Sequence, residues 1–477
     1  MIPAALLVVA LPLIGALPSI LLRRWRSIEL LVAILTCGIV LIVLSQPPDI
    51  PISVLGVEIK INAPLNVLGR VLQVRSNDRA TLLLLFLSAV VLFACAWGVA
   101  QSWSYIPVGL VSLSLLSAAL LVRPFVFAAL AFEAAAAVSV LMIQAERTGE
   151  RSTAGATRYL TVTTLALPVF LGAGYVIRQA TAISDPIEQL TAFTPAIDML
   201  VVGFAFLLGA LPLFTWIHSV AKYAPPLATA FLVTVANSAA MLLLLDFCQE
   251  FPWFATSPIL LGALQFGGVL LIVMGGLLAW AQNSFARVWA CALLIDIGSM
   301  LMAAGSSSAT GVGAVAFTIL ARALSLGLFG IGLSILRQRA FASDRFEDIR
   351  GLGFDHRWAA FALGAGGLSL VGIPGTIGFV ARWMSARAVG TYDVNGMAIM
   401  VLACVSVGVG VARGMAQLFN ASWREAAQRS RNAASPTITE IVTLLVMAAS
   451  VMFFGLFPNA LATLAQSVAN SYTFYQR

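Results

Sequence analysis

Glu133 is a lone carboxyl in the apolar stretch from Phe125 to Val140, with no opposite charge within a helical turn or two. Ionisable groups in hydrocarbon are costly and as a rule face a cavity or a partner. An acid placed there can act as a proton relay; the alternative is a structural carboxyl bonded to a neighbouring helix or another subunit. Asp296, between Leu293 and Met302, offers the same two roles in equal measure. Arg322 and Arg382 lie in or beside apolar runs, and each could be a fixed counter-ion to a carboxylate. Arg382 could equally snorkel to the membrane surface. His218 could titrate near neutral pH, although a lone histidine at a helix end is more often an interfacial residue. Asn237, in the middle of an apolar run, can hold a water but not a charge. These six residues are the candidate stations of a proton path. No residue reads as catalytic, and neither a metal nor a cofactor is expected. The five cysteines are scattered over apolar spans without C-x-x-C spacing, so neither a disulfide framework nor a metal site is indicated.

The elements that must position these residues follow from composition. The chain has 477 residues, 60% of them hydrophobic and 10% charged, and a mean hydropathy of +0.98. A bilayer helix needs roughly 20 apolar residues, and about fourteen such runs cover most of the chain. The expected fold class is an all-α polytopic membrane protein, with no loop long enough for a soluble catalytic domain. Met1 to Leu22 is apolar and is followed by Arg23, Arg24 and Arg26; a secretory signal carries its charge ahead of the apolar stretch. The net charge of +7 comes from basic residues in alternate loops, among them Arg147, Arg158, Lys222, Arg287, Arg337 and Arg431. That is the positive-inside pattern of a membrane protein rather than a nucleic-acid surface. It predicts an outside N-terminus; the expected location is a bacterial inner (plasma) membrane, with lipid as a partner. Of the 27 basic residues only Lys60 and Lys222 are lysines, and both fall in or beside loops. Lysine changes its charge readily when buried, whereas arginine does not.

Two spans carry the same kind of interruption. The seventh, about 198–220, contains Gly209-Ala210-Leu211-Pro212; the twelfth, about 358–389, contains Gly372-Ile373-Pro374-Gly375. Proline and glycine weaken a helix, and broken backbone in a membrane is tolerated where protein or a cavity satisfies it. Residues 1–103 then hold helices 1–3, with a long outer loop at 47–79. Residues 104–247 form one five-helix unit (helices 4–8), 257–419 a second (helices 9–13), and 438–477 a C-terminal helix 14. An odd number of spans per unit makes the second inverted, with the broken helices 7 and 12 at corresponding places.

These motifs carry a family likeness. Gly209-Ala-Leu-Pro-Leu-Phe-Thr-Trp216, followed by Ala224-Pro-Pro226, resembles the broken seventh helix of antiporter-like subunits. Such subunits occur in complex I (NADH–quinone oxidoreductase), Mrp antiporters and hydrogenase-4-like membrane-bound hydrogenases. Arg287-Val-Trp-Ala-Cys-Ala-Leu-Leu-Ile-Asp-Ile-Gly298 and Leu368-Ser-Leu-Val-Gly-Ile-Pro-Gly-Thr-Ile-Gly-Phe379 are similar to later motifs of that family. The resemblance implies a charged axis along mid-membrane. It places the family's glutamate at Glu133, its seventh-helix lysine at about Leu207 and its eighth-helix lysine at Asn237. The eleventh-helix lysine or histidine region falls at Arg322 to Leu326, and the twelfth-helix lysine or glutamate at Arg382.

The acid is present and the titratable lysines are not. The expectation is an antiporter-like, proton-translocation-related subunit of a multi-subunit complex, with a degenerate lysine axis and reduced or lost pumping. Its partners would be other membrane subunits and a peripheral redox module, to which any redox chemistry belongs. The competing expectation is a non-conducting scaffold that docks a peripheral enzyme. A stand-alone solute transporter fits least, because the spans offer few polar groups to bind a solute.

Overall fold

The computed structural model describes all residues except 1, 48–51, 55–56, 68, 145–149, 211, 340–342, 422–435 and 477. Arg147, Leu211 and Arg431, used above, lie outside the described residues. The chain is predominantly helical. Its first half runs through α1 (Ala4–Leu21), α2 (Arg26–Ser45), α3 (Ser76–Cys95), α4 (Tyr105–Leu121), α5 (Ala128–Gln144), α6 (Glu150–Ala180), α7 (Pro186–Ala192), α8 (Thr194–Leu208), α9 (Thr215–Tyr223), α10 (Pro226–Phe231) and α11 (Asn237–Glu250). The second half has α12 (Pro252–Ala255), α13 (Pro258–Ala281), α14 (Phe285–Gly305), α15 (Ala309–Arg339), α16 (Leu352–Asp355), α17 (Arg357–Val371), α18 (Ile377–Gly390), α19 (Val394–Leu418), α20 (Ile438–Leu456) and α21 (Asn459–Ser471).

Among the described residues twelve helical segments are long and apolar enough to cross a membrane, and Tyr105–Leu121 and Arg357–Val371 are shorter apolar helices. The sequence suggested about fourteen spans by counting runs of roughly 20 apolar residues. The difference arises where an apolar run does not become one long helix. The 358–389 run is divided into α17 and α18, and the 104–122 run forms α4, a helix of 17 residues.

The loop at 47–79 also departs from an all-helical expectation. Ile52–Val54 (β2) and Val57–Lys60 (β3) pair antiparallel, and β3 pairs parallel with Ile2–Pro3 (β1). Leu65–Val67 (β4) pairs with Arg70–Leu72 (β5), which pairs with Val122–Arg123 (β6). The second sheet fixes the residues that follow α4.

The helix layers sort by composition. α14, α15 and the α10–α11 segment are buried almost throughout. α1, α2, α6, α19 and α20 present apolar side chains such as Leu17, Ile42, Tyr175, Leu402 and Phe453 to the outside, as lipid-facing helices do. α13 and α14 approach closely because glycine faces glycine: a Cβ on Gly298 would lie 2.6 Å from the Gly268 carbonyl oxygen. Small residues at such seams let backbones pack where the hydrophobic effect offers no drive.

α8 and α17 end alike. Gly209 (φ 71°) and Gly372 (φ 88°) take the left-handed conformation, which glycine adopts at little cost. Each turn closes with a bond spanning six residues, Ala210 N–H to the Ala205 carbonyl at 2.9 Å and Ile373 N–H to the Leu368 carbonyl at 3.0 Å. This is the glycine-based helix stop. Pro212 and Pro374 follow in the turns that lead to α9 and α18. Ser369 ties the second turn together. Its hydroxyl lies 2.7 Å from that of Ser325 and accepts the Gly378 N–H at 3.2 Å. A Cβ on Gly378 would lie 1.6 Å from the Ser369 carbonyl oxygen, whereas one on Gly375 (φ 89°) meets open space. Gly375→Ala should therefore cost only the left-handed backbone strain, about 1–2 kcal/mol, and Gly378→Ala distinctly more. Thermal unfolding in detergent checks this; equal losses would refute the close approach.

Candidate functional site

The polar residues of the second half converge on Arg322, which projects from the middle of α15 with its side chain 1% exposed. Its Nε donates to Asp296 Oδ2 on α14 in a short contact. Its Nη1 donates to the Asn237 side-chain oxygen at 3.1 Å and to the Val233 carbonyl at 3.3 Å. The Val233 carbonyl lies in a π turn: between α10 and α11, residues Leu232–Ala236 widen out of the α-helical pattern. π turns shift the backbone register, and here one carbonyl in the turn accepts from the guanidinium. Asp296 Oδ1 forms a second ion pair with Arg382 Nη1 of α18 at 3.1 Å. Arg382 Nη1 also donates to the Ser299 hydroxyl at 2.9 Å, and its Nη2 to the Leu370 carbonyl at 3.4 Å. At the other end, Asn237 Nδ2 donates to the Leu208 carbonyl at 3.1 Å.

Leu208 is the last residue of α8, and Leu370 lies one residue before the end of α17. One chain of hydrogen bonds thus joins the end of α8 to the end of α17 through Asn237, Arg322, Asp296 and Arg382. It carries two guanidiniums and one carboxylate. A cavity of about 10 Å³ lies among Asp296, Arg322, Ser325, Ser369 and Arg382, at the lower limit for a single water.

The structure therefore brings together four of the six sequence candidates. Arg382 turns inward to Asp296 and does not reach for the surface, its side chain 11% exposed. Glu133 and His218 do not join the network. Glu133 Oε1 accepts the Thr164 hydroxyl of α6 at 2.6 Å, and its Oε2 has no hydrogen-bond partner among the described residues. His218 on α9 lies with Nε2 3.7 Å from Cys291 Sγ, five residues before Asp296 on α14. Leu207 is buried in α8 and apolar. Sequence reasoning missed Ser299, the Ser325–Ser369 pair and the π turn. Serines in apolar helices gave a weak signal; the π turn gave none, because Leu-Val-Thr-Val-Ala contains neither glycine nor proline.

This arrangement accompanies a clear relationship. Residues 125–409 match the family model described as NADH:quinone oxidoreductase/Mrp antiporter, TM. NADH-quinone oxidoreductase subunit N 1 of Solidesulfovibrio magneticus is 31% identical over 343 residues, covering 71% of this chain and 73% of that protein. Subunit N of Methylovorus glucosotrophus is 26% identical and covers 56% and 57%. Among solved structures, a chain of the archaeal membrane-bound sulfane sulfur reductase superposes with a TM-score of 0.79 at 18% identity, covering 98% of this chain and 97% of its own. A chain of the Mrp complex from Dietzia sp. DQ12-45-1b gives 0.78 at 17% identity, covering 99% and 97%. One of Thermus thermophilus respiratory complex I gives 0.70 at 18% identity, covering 96% and 99%. At these identities the structures establish a shared antiporter-like fold. The chain belongs to the NADH:quinone oxidoreductase/Mrp antiporter membrane family and is an integral membrane protein.

The ion triad makes a test possible. Asp296→Asn leaves two buried guanidiniums without their shared counter-charge, a loss on the order of 3–5 kcal/mol. Adding Arg322→Met should recover part of it, so the double variant unfolds at a higher temperature than additive single losses allow. Strict additivity would show that the two side chains are not coupled.

Proposed function

We propose that this chain is an antiporter-like membrane subunit of a complex I-type assembly, with reduced or lost proton pumping along its own axis. The observation that carries the reading is the Asp296 carboxylate held by two arginines, Arg322 and Arg382. Arginine supplies a fixed charge, so the triad cannot hand a proton on by changing charge state. The buried, apolar Leu207, at the position where the resemblance puts a lysine, and the 10 Å³ cavity beside Arg322 support the same reading. A switching relay needs groups that titrate and water to join them. Whatever conduction remains uses Glu133, with Asp296 and Arg382 as secondary polar stations. Arg322 acts as the fixed counter-ion of Asp296 and Asn237 as its neutral hydrogen-bond partner, with His218 as a further station outside this network.

In this reading α8–α9 and α17–α18 are each one interrupted span. They correspond under two inverted five-helix repeats, residues 104–247 and 257–419. The like glycine stops at Gly209 and Gly372 support the correspondence. The N-terminus lies outside, as the basic loops suggest. Partners are further membrane subunits and a peripheral redox module, by analogy with relatives named as subunit N of NADH-quinone oxidoreductase. Lipid headgroups fit the cavity of about 520 Å³ lined by Arg23, Arg24, Arg26 and Trp103, since basic interfacial pockets attract anionic lipid.

Proton uptake by the assembled, reconstituted complex carrying Glu133→Gln tests this reading. Lower coupled uptake with assembly intact is the expected result. Unchanged uptake removes Glu133 from the path, and failed assembly favours the alternative of a non-conducting scaffold, in which Glu133 is a docking contact.

A further inference from the structure

A second buried polar cluster lies apart from the axis, where α3, α4, α11 and the segment after α21 meet. Asp78, in the first turn of α3, is fully engaged. Its Oδ2 accepts the Arg75 N–H at 2.9 Å, and both oxygens accept Arg123 Nη2, at 3.2 and 3.3 Å. The charge of Arg123 is thereby committed. Its Nη1 donates to the Leu120 and Val122 carbonyls, and its guanidinium stacks 3.5 Å over Phe125.

Asp246, in the last turns of α11, is placed differently. It is 4% exposed. Its Oδ1 accepts the Tyr472 hydroxyl at 2.7 Å, and its Oδ2 has no hydrogen-bond partner among the described residues. It has no ion pair among them either. Tyr472 is held in place by Gln249, whose side-chain oxygen accepts the Thr473 and Phe474 N–H groups at 2.7 and 3.1 Å. The titratable or charged groups around Asp246 are Asp78 from α3, Arg75 ahead of it, Arg123 from β6, Tyr472 after α21, and Cys248 and Glu250 on α11 itself. The adjacent Phe247 packs against Phe204 of α8 and Phe254 of α12. Arg75 and Glu250 pair with each other at 2.7 Å in the open, their side chains 43% and 38% exposed.

The buried set therefore contains one cation and two carboxyls. It is neutral only when one carboxyl carries a proton, and the donors on both oxygens of Asp78 make Asp246, with one oxygen unpartnered, the better place for it. A buried, unpartnered carboxylate oxygen is far costlier than an unpartnered neutral hydroxyl. We infer that Asp246 is a proton-binding site off the mid-membrane axis, a neutral acid at rest that exchanges its proton with the aqueous face at Arg75–Glu250. Protonation forms an O–H bond at Oδ2 with a proton from water on that face; no other bond changes. The surface pair is one helical turn away, roughly 6 Å along α11. Asp246 also rides on the helix that carries Asn237, about 14 Å further along by helical rise.

The test is infrared spectroscopy of the purified full-length chain at neutral pH, in H2O and D2O, reading the carbonyl stretch of protonated carboxyls. Asp246→Asn should remove a deuterium-sensitive band present in the unmodified protein. Tyr472→Phe should keep that band and shift its frequency, because the carbonyl loses its donor. Asp78→Asn should lose the band with Asp246 still present, because Arg123 is then free to pair with it. A band that survives Asp246→Asn, or that Tyr472→Phe leaves unmoved, would overturn the assignment. The outcome does not depend on Glu133 or on whether the complex pumps.

Discussion

Every other feature of the axis depends on how the Arg322 guanidinium is satisfied inside the bilayer. A charge there must be paired, and a carbonyl freed at a helix end must find a donor, because lipid supplies neither. Here the two requirements meet each other. Asn237 and Arg382 reach the carbonyls at the ends of α8 and α17, and Asp296 joins the two arginines. The π turn at Leu232–Ala236 adds the Val233 carbonyl as a further acceptor. Removing any one member would leave at least one buried polar atom without its bond, so the network is cooperative in the sense that its parts are costly alone. The tight approach of Gly378 to Ser369 and the glycine stops hold the helix ends where these side chains can reach them.

Most of the participants were legible in the sequence, and their partnerships were not. Asn237, Asp296, Arg322 and Arg382 stand out because polar groups in apolar runs are few and costly. Their pairing depends on four helices meeting, which no local spacing encodes. Gly209 and Gly372 marked the ends of α8 and α17 because left-handed backbone strongly favours glycine. The strands around residues 52–72 escaped notice for the opposite reason. Each is three or four residues long, and two of them pair with β1 and β6, distant in the chain. The Arg123–Asp78 and Tyr472–Asp246 contacts also join residues far apart in sequence, at the ends of apolar runs where a charge reads as an ordinary loop residue.

The chemistry of the axis turns on which cation occupies it. A buried lysine beside a carboxylate can exist as ammonium or amine, so a proton arriving from one neighbour can leave to the next. Arginine in the same setting binds more firmly, through a fork of donors in fixed geometry, and does not change charge. Arg322 and Arg382 spend that geometry on Asp296, Ser299 and backbone carbonyls. The result is strong structural cross-linking of α10–α11, α14, α15, α17 and α18 by groups that have little freedom to respond to a passing proton. With two arginines and one aspartate the triad also carries a net positive charge, which opposes the entry of hydronium. In the function proposed here Glu133, with one carboxylate oxygen unpartnered among the described residues, supplies what the triad lacks: a carboxylate that can take a proton without breaking an ion pair. The same property in Asp246 follows from the opposite cause, a shortage of cations rather than distance from them, since Arg123 is already committed to Asp78.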